Sequence, residues 1–207
     1  MPQATNVKST HQHRRVAMTF RVVKKISLLG DSGVGKTSLI KKFVYDKFDD
    51  TYIETIGTKV SRKEVHCRTT SGDDALVLMM IWDIIGHKDP RVVPKSYYMG
   101  VSGVMVVCDI TRKETFKELK FWIDRMHSVV GAKVPMVVLA NKADLPDHEV
   151  TKAELDALTA ETGAPWFLTS AKEGANVESA FRTIGMLVAP EEIDRSSAGV
   201  PAPQLQA

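Results

Sequence analysis

The stretch Gly30-Asp31-Ser32-Gly33-Val34-Gly35-Lys36-Thr37 constrains this chain more than any other. The apolar run Ile26 to Leu29 precedes it and Ser38-Leu39-Ile40 follows, so a strand runs in and a helix leaves. G-x-x-x-x-G-K-T in that context is a phosphate-binding loop. A polyphosphate carries several negative charges, and the backbone must wrap it closely with successive N–H groups turned inward. Glycines at 30, 33 and 35 permit that approach. The amides from Asp31 to Gly35, the positive end of the helix, the Lys36 amine and the early helical residue Ser38 complete the cradle, and the Thr37 hydroxyl is a ligand for Mg²⁺.

The rest of the chain must be compatible with such a loop. At 207 residues with 43% hydrophobic composition it can bury one core, and two are not expected. Cys67 and Cys108 are too few for a disulfide framework or a metal cluster, and Cys108, ending an apolar run, reads as a small core residue. A net charge of +3, concentrated early, does not argue for nucleic acid. No apolar run approaches a membrane span and no secretory signal is evident, which places the protein in the cytosol. Residues 1–19 read as a disordered basic arm, 20–189 as one domain and 190–207 as a flexible tail.

Beyond the loop, Leu39, Phe43 and Val44 give one apolar side to a helix. Residues 58–68 and 75–82 flank the turn cluster Thr70-Ser71-Gly72-Asp73-Asp74, which predicts an antiparallel hairpin, whereas 83–103 reads as irregular. Val104 to Cys108 and Met136 to Ala140 are continuous apolar runs, expected of strands covered on both faces. Phe116, Leu119, Ile123, Met126 and Val130 recur at helical spacing between them, behind a capping box of Thr111 and Glu114; Thr151 and Glu154 repeat that signal. Trp166 to Leu168 is a short last strand, and Val177, Ala180, Phe181, Ile184 and Val188 are the stripe of a last helix capped by Asn176. Alternation of this kind predicts an α/β domain: a mostly parallel six-stranded sheet with one antiparallel pair and helices on both faces. Ligands of such sheets sit at the carboxyl ends of the strands, so each chemical motif should follow a strand.

They do. Asp83-Ile84-Ile85-Gly86 follows Trp82; the carboxylate can hold a metal's water shell and the glycine N–H can meet a terminal phosphate. Asn141-Lys142-Ala143-Asp144 follows Ala140. A carboxylate accepts two parallel hydrogen bonds from guanine N1–H and its 2-amino group, whereas adenine would leave it unpaired, so Asp144 selects guanine. Ser170-Ala171-Lys172, after the last strand, can supply a backbone N–H to the guanine oxygen and an aliphatic stem to its ring. Asn-Lys-x-Asp alone is also an ordinary surface turn; its order behind the phosphate loop and Asp83 makes it a base-recognition motif. An ATP-using kinase of the same loop class would have no use for Asp144 or Lys172.

On these motifs, with Lys47-Phe48-Asp49-Asp50-Thr51-Tyr52, Thr55-Ile56-Gly57, Tyr97-Tyr98 and Asp109-Ile110-Thr111, residues 20–189 resemble a small GTPase of the Ras superfamily, most closely the Rab branch. The resemblance implies GTP/GDP and Mg²⁺ as ligands and a monomer that meets effector, exchange and GTPase-activating proteins at two switch segments. It implies that Thr55 ligates Mg²⁺ and touches the terminal phosphate, that Phe48 lies against the guanine edge and that Tyr52 lies near the phosphates. The alternative for Phe48 and Tyr52 is that they are core aromatics.

Two departures stand out. The family writes Trp-Asp-Thr-Ala-Gly-Gln-Glu at the second switch, and this chain has Trp82-Asp83-Ile84-Ile85-Gly86-His87-Lys88. Glutamine orients the attacking water with a donor and an acceptor; His87 is shorter and, once protonated, only donates. Slow unaided hydrolysis is therefore expected, the rival being that neutral His87 positions the water. At least one of Ile84 and Ile85 should be in the core. The C-terminus, Pro201-Ala-Pro-Gln-Leu-Gln-Ala207, has no cysteine for prenylation and Pro2 excludes N-myristoylation, so a lipid anchor is not expected.

Overall fold

Residues 20–49, 57–68, 74–84 and 89–189 are described in a computed structural model. The alternation of apolar runs and amphipathic stretches becomes β1 (Phe20–Leu29), α1 (Lys36–Tyr45), β2 (Thr58–Arg68), β3 (Asp74–Ile84), α2 (Lys95–Tyr98), β4 (Gly103–Asp109), α3 (Lys113–Lys117), α4 (Leu119–Val130), β5 (Met136–Asn141), α5 (Lys152–Thr162), β6 (Trp166–Thr169) and α6 (Val177–Val188). Among the described residues the strands form one sheet in the order β2-β3-β1-β4-β5-β6, with β2 and β3 antiparallel and the other pairs parallel. The expected α/β architecture is thus observed.

Period-2 alternation places each strand's side chains on two faces, and a different helix layer covers each. Ile26, Leu28, Val77, Met79, Ile81, Val107 and Leu139 pack with α1 and α6, where the rings of Phe43 and Phe181 stack at 4.0 Å. Leu29, Val104, Val106, Cys108, Val138 and Ala140 pack against α4 through Leu119, Trp122, Ile123 and Met126. The stripe expected for α6 is buried as read, and Ile84 and Cys108 are fully buried. Ile85 lies outside the described residues, as do 1–19, most of the 48–57 loop, turn residues 70–73 and the tail from 190. No helix among the described residues is long and apolar enough to cross a membrane.

Several local expectations are corrected. Asp74 is not in a turn but opens β3, opposite Arg68. The segment 83–103 is not irregular throughout: β3 runs on to Ile84, Pro90–Val92 is a 3-10 turn and Lys95–Tyr98 is α2, anchored by buried Tyr98. Thr111 and Glu114 form no capping box, because the Thr111 hydroxyl donates to Asp109 Oδ1 at 2.7 Å and the helix starts after Arg112. Its single stripe is split into α3 and α4 at Glu118. Asn176 stands at the α6 N-cap in a left-handed conformation, yet its side chain donates to Leu168 O at 2.7 Å instead of capping.

The Thr151 and Glu154 capping box is present on α5. Glu154 also pairs with Lys113 at 2.8 Å, and that hydrogen bond, with those from the Thr151 backbone and hydroxyl, holds its pKa at about 2 against an ordinary 4.5. A depressed folded-state pKa contributes stability that is present above the unfolded value and lost as pH falls through the folded one. Glu154→Gln is therefore expected to lower the melting temperature at about pH 6, with the difference closing between about pH 4.5 and pH 2.

Candidate functional site

The carboxyl ends of β1, β3, β5 and β6 lie at one rim, because the parallel strands all end there. The loop after β1 has positive φ at Gly30 (139°), Gly33 (74°) and Gly35 (99°). The physical need for glycine at two of these differs from the expectation of close approach to phosphate. A Cβ on Gly30 would lie 2.2 Å from Val107 O of β4, and one on Gly35 would lie 2.3 Å from Asn141 Nδ2. These glycines let the loop press against the sheet and against the turn after β5.

Lys36 is 6% exposed, and its Nζ donates to Gly30 O and Asp31 O, each at 2.7 Å. Burial lowers its pKa to about 8, while the carboxylates of Asp83 and Asp31 pull the other way. Thr37 and Ser38 follow in the first turn of α1, both half-buried. Thr37 Oγ1 donates to Asp83 Oδ2 at 2.6 Å. Asp83, expected just after β3, is its penultimate residue; it is 3% exposed, and burial pushes its carboxyl pKa up. Its Oδ1 is buried and has no hydrogen-bond partner among the described residues. A buried carboxylate oxygen without a donor costs free energy unless a cation faces it, so Thr37 and Asp83 fit a divalent metal with hard oxygen preference.

Asn141 ends β5 and ties it to the phosphate loop: its Nδ2 donates to Val34 O at 2.8 Å, while its Oδ1 accepts from Thr169 Oγ1 at 3.2 Å. Ser170 Oγ donates to Asp144 Oδ1 at 2.6 Å, which fixes the carboxylate. The Ser170 N–H itself is taken by Ala175 O at 3.1 Å, so among Ser170, Ala171 and Lys172 it is not the amide left to meet a base oxygen. Ala171 is buried and Lys172 exposed beside it. Phe48 is 37% exposed after α1, so the core reading fails for it. Tyr52, Thr55, Gly86 and His87 lie outside the described residues. A cleft between the end of α1, β2 and the start of α6, lined by Tyr45, Lys63, Val177 and Glu178, contains none of these motif residues.

The buried Asp31 carboxylate accepts from Trp122 Nε1 at 3.0 Å and faces α4, which leaves its backbone, the part expected in the phosphate cradle, to a ligand. Trp122→Phe keeps most of the packing but leaves that carboxylate without its donor. A loss of about 1–3 kcal/mol in unfolding free energy is expected from urea denaturation.

Sequence reasoning missed Trp122, and assigned no role to Asp109 and Arg112. The Asp109 carboxylate, 1% exposed, accepts from Lys142 Nζ at 2.7 Å and from Arg112 Nε at 2.9 Å. The available signal was a carboxylate closing an all-apolar strand at the rim where the motifs gather.

This geometry invites comparison with known proteins. A sequence model of the Ras family matches residues 25–189. The chain is similar to the Ras-related protein RIC1 of Oryza sativa subsp. japonica, 37% identical over 161 residues and 77% of each chain. It is similar to the Ras-related protein Rab-8B of Homo sapiens, 37% identical over 170 residues, 82% of this chain and 80% of that one. It is also similar to the Ras-related protein RABD2b of Arabidopsis thaliana, 33% identical over 183 residues and 88% of each chain.

Proposed function

This chain belongs to the Ras family, as a Rab-like small GTPase, and from that premise we propose that it is a monomeric, Mg²⁺-dependent switch that binds GTP and GDP and hydrolyses GTP slowly. The observation that carries the reading is the Asn141 to Val34 hydrogen bond of 2.8 Å, which joins the base-recognition motif to the phosphate loop. Ser170 presents Asp144 to guanine N1–H and the 2-amino group. The amides of Ala171 and Lys172 face the guanine oxygen, and the Lys172 stem and Phe48 flank the base. The amides from residue 31 to 35 and the Lys36 ammonium hold the outer phosphates.

Thr37, Thr55 and, through water, Asp83 hold Mg²⁺ in this reading, and the orphaned Asp83 Oδ1 supports it. Bound there, the ion would neutralise charge between the two outer phosphates. By the family resemblance Tyr52 would serve those phosphates, Gly86 would give its N–H to the terminal one, and His87 replaces the glutamine that orients the attacking water. No strong base is required, since the reaction is carried by positioning and charge stabilisation. Loss of the terminal phosphate would release the segments around Thr55 and Gly86 and change which regulators and effectors bind. Half-buried Trp82, opposite 42%-exposed Val60 and with Lys25 Nζ 4.0 Å from its ring, leaves a partly apolar face beside those segments that supports partner binding.

A second reading, a GTP-binding interaction protein with negligible hydrolysis, is favoured by the Ile84-Ile85-Gly86-His87 sequence, whose first isoleucine is fully buried. Identifying the co-purifying nucleotide and following its single-turnover decay with and without Mg²⁺ tests both. Guanine nucleotide with slow Mg²⁺-dependent decay supports the switch, and no decay at all supports the second reading. His87→Gln is expected to speed single-turnover hydrolysis by roughly tenfold or more, by restoring a neutral donor and acceptor to the water. A wild type faster than the variant would mean that His87 positions the water itself.

A further inference from the structure

We propose that Arg112 and Asp109 form a latch that holds the lip of the phosphate loop against the Asn141–Asp144 turn and thereby slows nucleotide release; this rests on the nucleotide-binding reading above. Asp109 is the last residue of β4 and lies in register with Asn141 of β5, so its carboxylate sits where the two binding turns meet. That carboxylate is fully engaged. Oδ1 accepts from the Thr111 N–H at 3.1 Å and hydroxyl at 2.7 Å, while Oδ2 takes Lys142 Nζ at 2.7 Å and Arg112 Nε at 2.9 Å. The same guanidinium reaches the phosphate loop, with Nη2 donating to Ser32 O at 3.2 Å.

A planar fork does what a point charge cannot. Nε of Arg112 grips Asp109 and Nη2 the carbonyl at 32, two nitrogens at fixed spacing in one plane, so the distance between loop and carboxylate is set by a rigid group. Three such ties reach successive parts of the loop: Trp122 to the Asp31 side chain, Arg112 to Ser32 O and Asn141 to Val34 O. The first and third are buried, whereas the Arg112 side chain is 44% exposed. The exposed tie breaks most readily, and once it parts the lip of the loop is free to move away from the base-binding turn. Release of a nucleotide that spans both turns needs that movement, which makes Arg112 a positioning residue for retention rather than a group that touches ligand.

The test follows release of N-methylanthraniloyl-GDP from the loaded full chain during a chase with excess GDP. Four proteins are compared: wild type, Arg112→Ala, Arg112→Lys, and Arg182→Ala, which removes a similarly exposed ion pair with Glu178 on α6. Arg112→Ala is expected to release GDP about threefold to tenfold faster, a modest factor because the tie is half exposed. Arg112→Lys should recover less than half of that change on a logarithmic scale, and Arg182→Ala should match the wild type. An unchanged release rate in Arg112→Ala, full recovery by lysine, or equal acceleration in Arg182→Ala overturns the latch while leaving nucleotide binding intact. Failure of the wild type to retain the labelled GDP at all overturns the nucleotide reading and the latch with it.

Discussion

Asp144→Ala is expected to reduce GDP affinity by about 10²–10⁴, while ADP affinity stays where it was, so that the preference for guanine over adenine disappears. The carboxylate is held by Ser170 Oγ at 2.6 Å, and its position is therefore set before ligand arrives. Each charge-assisted hydrogen bond to guanine N1–H and the 2-amino group contributes roughly 1.5–3 kcal/mol. Two of them convert to the stated range at about 1.4 kcal/mol per factor of ten. Adenine offers no matching donor pair, so it loses nothing when the carboxylate goes. Competition titrations with GDP and ADP on the variant decide the matter. A variant that retains a strong guanine preference would mean that base recognition resides elsewhere in the turn.

Lys36→Ala is the second large effect, expected to weaken GTP and GDP binding by roughly a hundredfold to a thousandfold. In the free protein the ammonium is buried against two carbonyls, and burial has already lowered its pKa to about 8. A polyphosphate beside it favours the charged form and raises that pKa. The sign then follows: at about pH 8 the free protein is partly deprotonated at Lys36, and ligand binding draws protons onto it. Calorimetric titration in two buffers of different ionisation enthalpy should give net proton uptake for the wild type, and a smaller uptake for Lys36→Ala. Proton release, or uptake that survives the substitution, would place the titrating group elsewhere.

Much of this is legible in the sequence. The α5 capping box, the buried stripe of α6 and the antiparallel pairing of β2 with β3 are local or nearest-neighbour features, and short-range patterns encode them. Legibility failed where a side chain had a better partner far along the chain. Thr111 had the spacing of a capping residue, but Asp109 was the stronger acceptor within reach. Asp31 stood inside a phosphate-binding motif, and its carboxylate went to Trp122, 91 residues away. Asn176 took the cap position but bonded to Leu168 O.

The sequence by itself determined which residues the proposed site draws on, the phosphate-loop, base-recognition and metal-ligand candidates, and that each described one falls at or beside the end of a strand. Those assignments depend on residue type and spacing within a few positions, which a linear string records. Only the tertiary structure decided how the turns brace one another, through Asn141 on Val34, Arg112 between Asp109 and Ser32, and Gly30 pressed onto Val107. Those contacts join segments many tens of residues apart, and they exist only because the parallel order β3-β1-β4-β5-β6 brings the ends of non-consecutive strands to one rim.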